Sequence, residues 1–202
     1  MAKAREITGV APETPFGAYA ARVIEVRAGE VETMLATTGD GPEGVHARRV
    51  ALRRLRTTLE VFGPVLPKRA KKVRRELKSV FATLGPRRDA DVALEALRAL
   101  EPRLAGPDAA GFRSLVAAVE SDGSSGGTID AEQAAQAREH ALLFAPWARN
   151  RDDTLAADAL RAVSSRRAAA VLARLDGLDV RDGDAAHDLR IAAKRLRYTL
   201  EA

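Results

Sequence analysis

A fifteen-residue pattern that occurs twice constrains this chain more than any other feature. The segment from His46 to Glu60 returns as the segment from His187 to Glu201, so the second histidine lies 141 residues after the first. That separation is too long for the repeat of a solenoid, and it indicates the duplication of half a domain. The identical pairs are His46/His187, Arg49/Arg190, Ala51/Ala192, Arg54/Arg195, Leu55/Leu196, Arg56/Arg197, Thr58/Thr199, Leu59/Leu200 and Glu60/Glu201.

Each copy predicts an amphipathic helix with a stripe of cations beside its apolar face. Because an α-helix turns about 100° per residue, the histidine and three following cations of each copy fall within about 80°. A solvated face normally mixes both signs of charge, whereas a uniformly basic stripe repels itself unless an anion neutralises it. A solvated arginine face is the plain alternative, but two copies with matched spacing favour two walls of one anion site. The stripes contain His46, Arg49, Arg53 and Arg56, and His187, Arg190, Lys194 and Arg197.

The composition favours an all-α protein with an anionic partner. The 202 residues suffice for a real core, aromatic residues make up only 4%, and the apolar residues follow a 3.6-residue period without alternating runs. A net charge of +5 favours an anionic partner. The chain has no cysteine, which excludes disulfides and thiolate metal sites. We see neither a membrane span nor a signal peptide, so we expect a cytoplasmic protein.

Turn and stop signals predict helical bundles in two pseudo-symmetric halves. Residues 1–14 form an N-terminal tail, 15–101 a first half-bundle, 102–107 a linker and 108–202 a second half-bundle. In each half a helix, a loop with Gly and Asp, and a His/Arg helix follow one another. Helices are predicted over about 15–37, 44–62, 67–84, 88–100, 108–120, 130–143, 154–175 and 185–201.

The second half is shorter than the first by this comparison. The first half continues to residue 101 after His46, whereas only 15 residues follow His187. Two helices equivalent to those at 67–84 and 88–100 have no counterpart, so we expect a C-terminally shortened protein or a piece of one. The apolar residues of the last helix then lack their cover, which favours self-association. These residues are Ile191, Leu196 and Leu200.

Three motifs in this order resemble the signatures of the CHAD family, the conserved histidine α-helical domain. The resemblance extends over about residues 15–202. It implies two helical bundles related by a pseudo-twofold axis, with a basic cleft between them that binds inorganic polyphosphate, and it implies association with polyphosphate granules. The motifs are Val45-His46-x-x-Arg49-Val50-x-x-Arg53-Arg54-Leu55-Arg56, Leu84-Gly85-x-x-Arg88-Asp89-x-Asp91-Val92 and His187-x-Leu189-Arg190-x-x-x-Lys194-Arg195-Leu196-Arg197-Tyr198.

The same resemblance implies which side chains bind the anion. Guanidinium groups suit this ligand because they donate two parallel hydrogen bonds to phosphate oxygens. Polyphosphate has no bases and needs no stacking platform, so Tyr198 is interpreted as a packing residue. The implied polyphosphate-binding positions are His46, Arg49, Arg53, Arg56, Lys78, Arg88, His187, Arg190, Lys194 and Arg197.

Two acidic residues of the second motif are predicted to support the site. The carboxylates of Asp89 and Asp91 repel phosphate, so we expect them to hydrogen-bond arginine or histidine side chains. They also suit the N-terminus of a helix, where negative charge stabilises the macrodipole. Arg54 and Arg195 lie off the main stripe and are predicted to pair with these acids.

Three other functions compete with polyphosphate binding. The two histidines with Asp89 and Asp91 could ligate a divalent metal, although fixed cations beside each histidine oppose this. A basic cleft also attracts nucleic acid, but no reader motif for sequence-specific binding is present. An enzyme is disfavoured because no nucleophile–base pair stands out. The sequence therefore predicts a binding module without catalytic residues, metal or cofactor.

Overall fold

The computed structural model describes residues 4–37, 39, 41–83, 85–104, 107–124, 130–179 and 181–201, without the side chains of 85–89, 103, 107 and 122–124. This part of the chain is all-α, as predicted. None of its helices is long and apolar enough to cross a membrane. The α-helices are α1 (Phe16–Thr37), α2 (Pro42–Val61), α3 (Ala70–Thr83), α4 (Gly85–Leu100), α5 (Pro107–Ser124), α6 (Ala131–Leu142), α7 (Phe144–Ala148), α8 (Ala156–Leu175) and α9 (Gly183–Leu200), and single 3-10 turns follow at Gly63–Val65 and Glu101–Arg103.

The two copies of the repeat form α2 and α9, but their first turns are stabilised differently. Helix α2 begins with Pro42, which is tolerated there because the first N–H groups of a helix have no partner within it. Helix α9 follows Asp182, whose carboxylate accepts hydrogen bonds from the backbone N–H groups of Asp184 and Ala185. The first copy is helical throughout, and the second is helical up to Leu200, with Glu201 as the C-cap.

Helices α3, α4 and α7 differ from the sequence predictions, and α5 continues to Ser124, beyond its predicted end at 120. Helix α3 begins at Ala70 and not at 67, because the backbone N–H of Ala70 closes a tight turn onto the carbonyl of Pro67 at 2.8 Å. Helix α4 begins at Gly85, so the Gly-Pro pair predicted to stop one helix also starts the next. The short helix α7 was not predicted, because five residues carry too little periodicity to be recognised.

The core joins elements from both predicted halves. Helix α1 packs against α2, α6 and α7, and α3 covers the outer side of α2 and α6. The leucines of α2 that adjoin the cationic stripe are fully buried in this core, and small alanines on α6 let it approach α1 closely. Helix α5 pairs with α4, and α8 pairs with α9. The division into two half-bundles stays a prediction, since no boundary separates their cores.

The segments before α1 and α8 pair with each other reciprocally. The backbone N–H of Phe16 donates to the carbonyl of Thr154 at 2.7 Å, and Ala156 donates to Thr14 at 2.9 Å. Each residue is thus matched by one 140 positions away, close to the spacing of the two histidines. Reciprocal contacts of this kind are what a twofold relation produces. The next bonds repeat the pattern, with Gly17 donating to Asp152 and Ala157 to Pro12.

A buried ionic network attaches the end of α9 to α1 and α2. Arg27 and Glu30 on α1 form an ion pair at 3.1 Å, and the guanidinium of Arg27 also donates to the backbone carbonyl of Glu201. Nε of Arg54 on α2 lies 2.8 Å from the carboxylate of Glu201. Arg27, Glu30 and Arg54 are each less than a tenth exposed. This network therefore fixes how the two repeated helices lie relative to each other.

Two of the three apolar residues of α9 that were predicted to lack cover are exposed, whereas the third, Leu196, is half-buried. Leu200 is 67% exposed and its counterpart Leu59 is fully buried. Ile191 is 36% exposed, whereas its counterpart Val50 is 6% exposed. Self-association through this face stays a prediction.

Candidate functional site: a cluster of cations on three helices

Two arginines of the first repeat stack on an aromatic ring of α3. The guanidinium carbons of Arg49 and Arg53 lie 4.4 Å and 4.7 Å from the ring centroid of Phe81. Arg53 also donates from Nη1 to the hydroxyl oxygen of Tyr198 on α9, at 3.1 Å. The guanidinium of Arg197 lies 4.5 Å from the ring centroid of Tyr198. These contacts bring the cationic stripe of α2 against α3 and against the second repeat.

Lys194 shows that the stripes of α2 and α9 meet. Its pKa is lowered from the usual value, first because the side chain is partly buried and then because Arg190, Arg53, Arg197 and Arg49 repel its charge. Two of these arginines belong to α2 and two to α9. We call these five residues the basic cluster.

Arg56 extends the positive charge from the basic cluster towards α3. Burial lowers its pKa, Glu60 acts in the opposite direction, and the charges of Arg74, Arg53 and Arg195 lower it further. Arg56 is therefore within electrostatic range of the basic cluster through Arg53 and of α3 through Arg74.

A groove between α2 and α3 adjoins the basic cluster. It has a volume of about 390 Å³, and the residues described as lining it are all cationic. Arg56 and Lys78 were predicted site residues, whereas the other three were not. The sequence already indicated two of them, because Lys71 and Arg75 precede Lys78 by seven and three residues and so share a helical face with it. The basic groove consists of Arg56, Lys71, Arg74, Arg75 and Lys78.

Glu60 is an acidic residue at the border of the basic groove. Its carboxylate accepts a hydrogen bond from Arg167 on α8 at 2.6 Å and lies 3.1 Å from Arg74 on α3. Burial acts to raise its pKa, but the hydrogen bond and charge of Arg167 and the charges of Arg74 and Arg195 outweigh burial and lower it. Glu60 is thus ionised, and it holds Arg74 in place at the groove.

The two histidines of the repeat differ in how far they are enclosed. His46 is half-buried one turn before Arg49, whereas His187 and Arg190 are exposed near the start of α9. Within the described ranges, no three side chains of the types that hold metals come together. The predicted ligand Arg88 and the predicted supporting residue Asp89 lie outside the residues whose side chains are described.

The predicted pairing of Arg54 with Asp89 and Asp91 stays a prediction, because the side chain of Asp89 is not among those described. Arg54 pairs with Glu201 at 2.8 Å and approaches Glu30 at 4.0 Å, because its position on α2 faces α1 and the end of α9. The other predicted acid, Asp91, is half-buried, and its Oδ2 is buried without a hydrogen bond from any described residue. Arg195 is exposed, and its charge acts on Glu60. Two carboxylates of the repeat itself act on these arginines, because Glu201 pairs with Arg54 and Glu60 lies within electrostatic range of Arg195.

The helices and the cluster define an all-α domain with concentrated positive charge where α2, α3 and α9 meet. The family model of the CHAD domain matches residues 20–202. The chain therefore belongs to the CHAD domain family, as the three motifs indicate.

Two solved structures share this fold. The crystal structure of the CHAD domain from the plant Ricinus communis superposes with a TM-score of 0.73 at 25% identity, covering 97% of this chain and 68% of that one. PptA from Streptomyces chartreusis superposes with a TM-score of 0.67 at 19% identity, covering 93% of this chain and 75% of that one. No curated protein sequence matches the chain significantly.

Proposed function

We propose that the chain binds inorganic polyphosphate along the basic cluster and the basic groove. The observation that carries the proposal is the groove, because its described lining consists of five cationic side chains. The cations of such an array repel one another in the free protein, so a bound polyanion removes an electrostatic repulsion that is already present. The resemblance to the CHAD family supplies the identity of the polyanion.

The arrangement of the cations favours an extended ligand over a compact one. The basic groove lies on α2 and α3, and Arg56 connects it electrostatically to the basic cluster on α2 and α9. The cations from Arg49 to Arg56 span seven residues of α2, or about 10 Å along the helix. A single phosphate contacts only part of this track, whereas a linear polymer with a charge on each phosphate follows it.

Calorimetric titration with long-chain polyphosphate tests the proposal. We expect binding that weakens steeply as salt is raised, because each neutralised phosphate releases counterions. Duplex DNA of matched charge serves as a competitor, and Arg161→Ala serves as a control, since it removes one charge from an exposed position on α8. Absence of binding at low salt contradicts the proposal, and so does equal preference for DNA, which favours non-specific binding of nucleic acid.

Binding of this kind would also direct the protein to polyphosphate granules. The experiment is to follow a fluorescently tagged chain in cells that accumulate the granules, beside a tagged variant with Arg53→Ala and Lys194→Ala. We expect the wild-type chain to collect on granules and the variant to stay dispersed. Equal recruitment of both chains contradicts this part of the proposal.

A further inference from the structure

We infer that Phe81 and Tyr198 are positioning residues, which hold the guanidinium groups of Arg49, Arg53 and Arg197 in the orientation that receives the polyanion. The inference rests on the proposed function and adds two aromatic residues to it. Composition alone gave these rings no role beyond packing. In the structure each ring lies against two guanidinium groups of the site.

The geometry places Arg53 between the two rings. Its guanidinium carbon lies 4.7 Å from the centroid of Phe81 and 5.4 Å from that of Tyr198, and Nη1 donates to the Tyr198 hydroxyl. Arg49 shares the Phe81 ring, and Arg197 shares the Tyr198 ring. Two aromatic residues therefore contact three arginines that come from both copies of the repeat.

Electrostatics explains why such rings are needed. Arginines that share one site repel one another, and in the absence of ligand long side chains would spread into solvent. The face of an aromatic ring carries negative potential and attracts a guanidinium without neutralising it. A carboxylate would orient the same arginine but would also repel the incoming phosphates. An aromatic ring thus orients Arg49 and Arg53 without adding a negative charge beside them, whereas Nε of Arg197 also lies 3.4 Å from the carboxylate of Glu201.

The two copies of the repeat obtain their rings differently. Tyr198 lies within the second copy, and the equivalent position in the first copy is Thr57. The ring beside Arg49 comes instead from Phe81 on α3, so α3 completes the site on the side of α2. Tyr198 is 4% exposed, so most of its surface packs against neighbouring residues. Its hydroxyl oxygen accepts the hydrogen bond from Arg53.

The principal test replaces Phe81 and measures affinity for long-chain polyphosphate by calorimetry. We expect Phe81→Leu to bind about tenfold more weakly, because two cation–π contacts are lost while apolar volume is retained. Phe81→Tyr keeps the ring face and should restore affinity close to wild type. The matched control is Phe112→Leu, at a half-buried position on α5 outside the basic cluster.

Two readouts separate positioning from a general effect on the fold. The number of phosphates neutralised should not change in Phe81→Leu, so the slope of log affinity against log salt should equal that of wild type. In a background with Arg49→Ala and Arg53→Ala, Phe81→Leu should cause no further loss, because the ring acts through those arginines. Tyr198→Phe gives an independent test: it keeps the ring, removes the hydroxyl, and should weaken binding several-fold only when Arg53 is present.

The outcomes distinguish this inference from the proposed function. If wild-type protein binds polyphosphate and both Phe81→Leu and Tyr198→Phe bind equally well, the inference is overturned and the proposed function stands. A loss that persists undiminished without Arg49 and Arg53 also overturns it. If the wild-type protein does not bind polyphosphate at all, the proposed function fails first. Should Phe81→Leu fail to fold, the Tyr198→Phe result decides.

Discussion

Equivalent arginines of the two repeats lie in different surroundings. Arg49 is half-buried, and its guanidinium stacks on Phe81. Arg190 is exposed, and its charge reaches Lys194. A cation held by a neighbouring ring loses less conformational freedom on binding than one that extends into solvent. The repeat therefore places an arginine at the same position of both helices, but we expect the two arginines to contribute unequally to binding.

The first prediction is that Arg49→Ala weakens polyphosphate binding more than Arg190→Ala. A charge-assisted contact is worth about 1.5–3 kcal/mol, so we expect Arg49→Ala to lose about tenfold to a hundredfold in affinity. Calorimetry gives the affinities, and thermal unfolding followed by circular dichroism checks that both variants fold. If either variant unfolds while its folded fraction binds normally, that arginine is structural and does not belong to the site.

The protonation of Glu60 affects the stability of the folded protein. Its folded pKa lies below the usual value near 4.5 because Arg167, Arg74 and Arg195 favour the ionised form. A carboxylate with a lowered pKa contributes stability that is complete above the pKa of the unfolded chain. That contribution is lost as the pH falls through the folded pKa.

We therefore predict that Glu60→Gln lowers the free energy of unfolding at pH 7 by about 1 kcal/mol, since a charge-assisted hydrogen bond is replaced by a neutral one. The difference from wild type should shrink as the pH falls below about 4.5 and through the lowered pKa of folded Glu60. Urea unfolding at several pH values measures it, with Glu95→Gln at an exposed position on α4 as the control. A difference that grows on acidification contradicts the assignment.

At the scale of helices, the buried ionic network decides where α9 lies. Arg54 on α2 and Glu30 on α1 are nearly enclosed. Arg54 pairs directly with Glu201 at the end of α9. Glu30 pairs with Arg27, whose guanidinium donates to the backbone carbonyl of Glu201. Removing one member of a buried ion pair is strongly destabilising, because the remaining charge stays desolvated. The basic cluster depends on this network, since it needs α9 against α2.

We predict that Arg54→Leu destabilises the protein by about 3 kcal/mol and loosens α9 more than α1. Hydrogen exchange resolves the two helices, and faster exchange should be concentrated in Gly183–Leu200. Arg161→Ala again provides a control for loss of charge alone. Unchanged protection of α9 in Arg54→Leu would mean that other contacts hold this helix.

The apolar face of α9 leads to a prediction about association. Leu200 and Ile191 on α9 are 67% and 36% exposed, and large exposed apolar residues of this kind favour contact between copies. We expect light scattering to show a mass that rises with concentration, and Leu200→Gln to reduce the rise. A monodisperse monomer with a strongly protected α9 refutes self-association through this face.

The helices could be predicted from the sequence because they depend on local signals. The 3.6-residue period, the prolines and glycines, and the repeat itself placed α1, α2, α8 and α9 to within a few residues. The partners of Arg54 could not be predicted in this way, because Glu30 and Glu201 are brought to it only by tertiary packing. For the same reason no local pattern predicts that Phe81 contacts Arg49.

At the scale of the whole molecule, the central claim is that cations from distant parts of the chain form one site. Arg53 and Lys194 are separated by most of the sequence, yet the charge of one lowers the pKa of the other. Helix α3 adds the basic groove beside them. A polymer that follows this track contacts both copies of the repeat, so their contributions to binding are expected to depend on each other.

A double-mutant cycle on polyphosphate affinity tests this claim most directly. Calorimetric titration of wild type, Arg53→Ala, Lys194→Ala and the double variant gives the affinity and the stoichiometry of each. We predict one class of site, and a loss of binding free energy in the double variant that is smaller than the sum of the losses in the two single variants. The reason is that loss of either cation already releases the phosphates that both hold. Losses that add, or two independent classes of site, would contradict a single site built from α2 and α9.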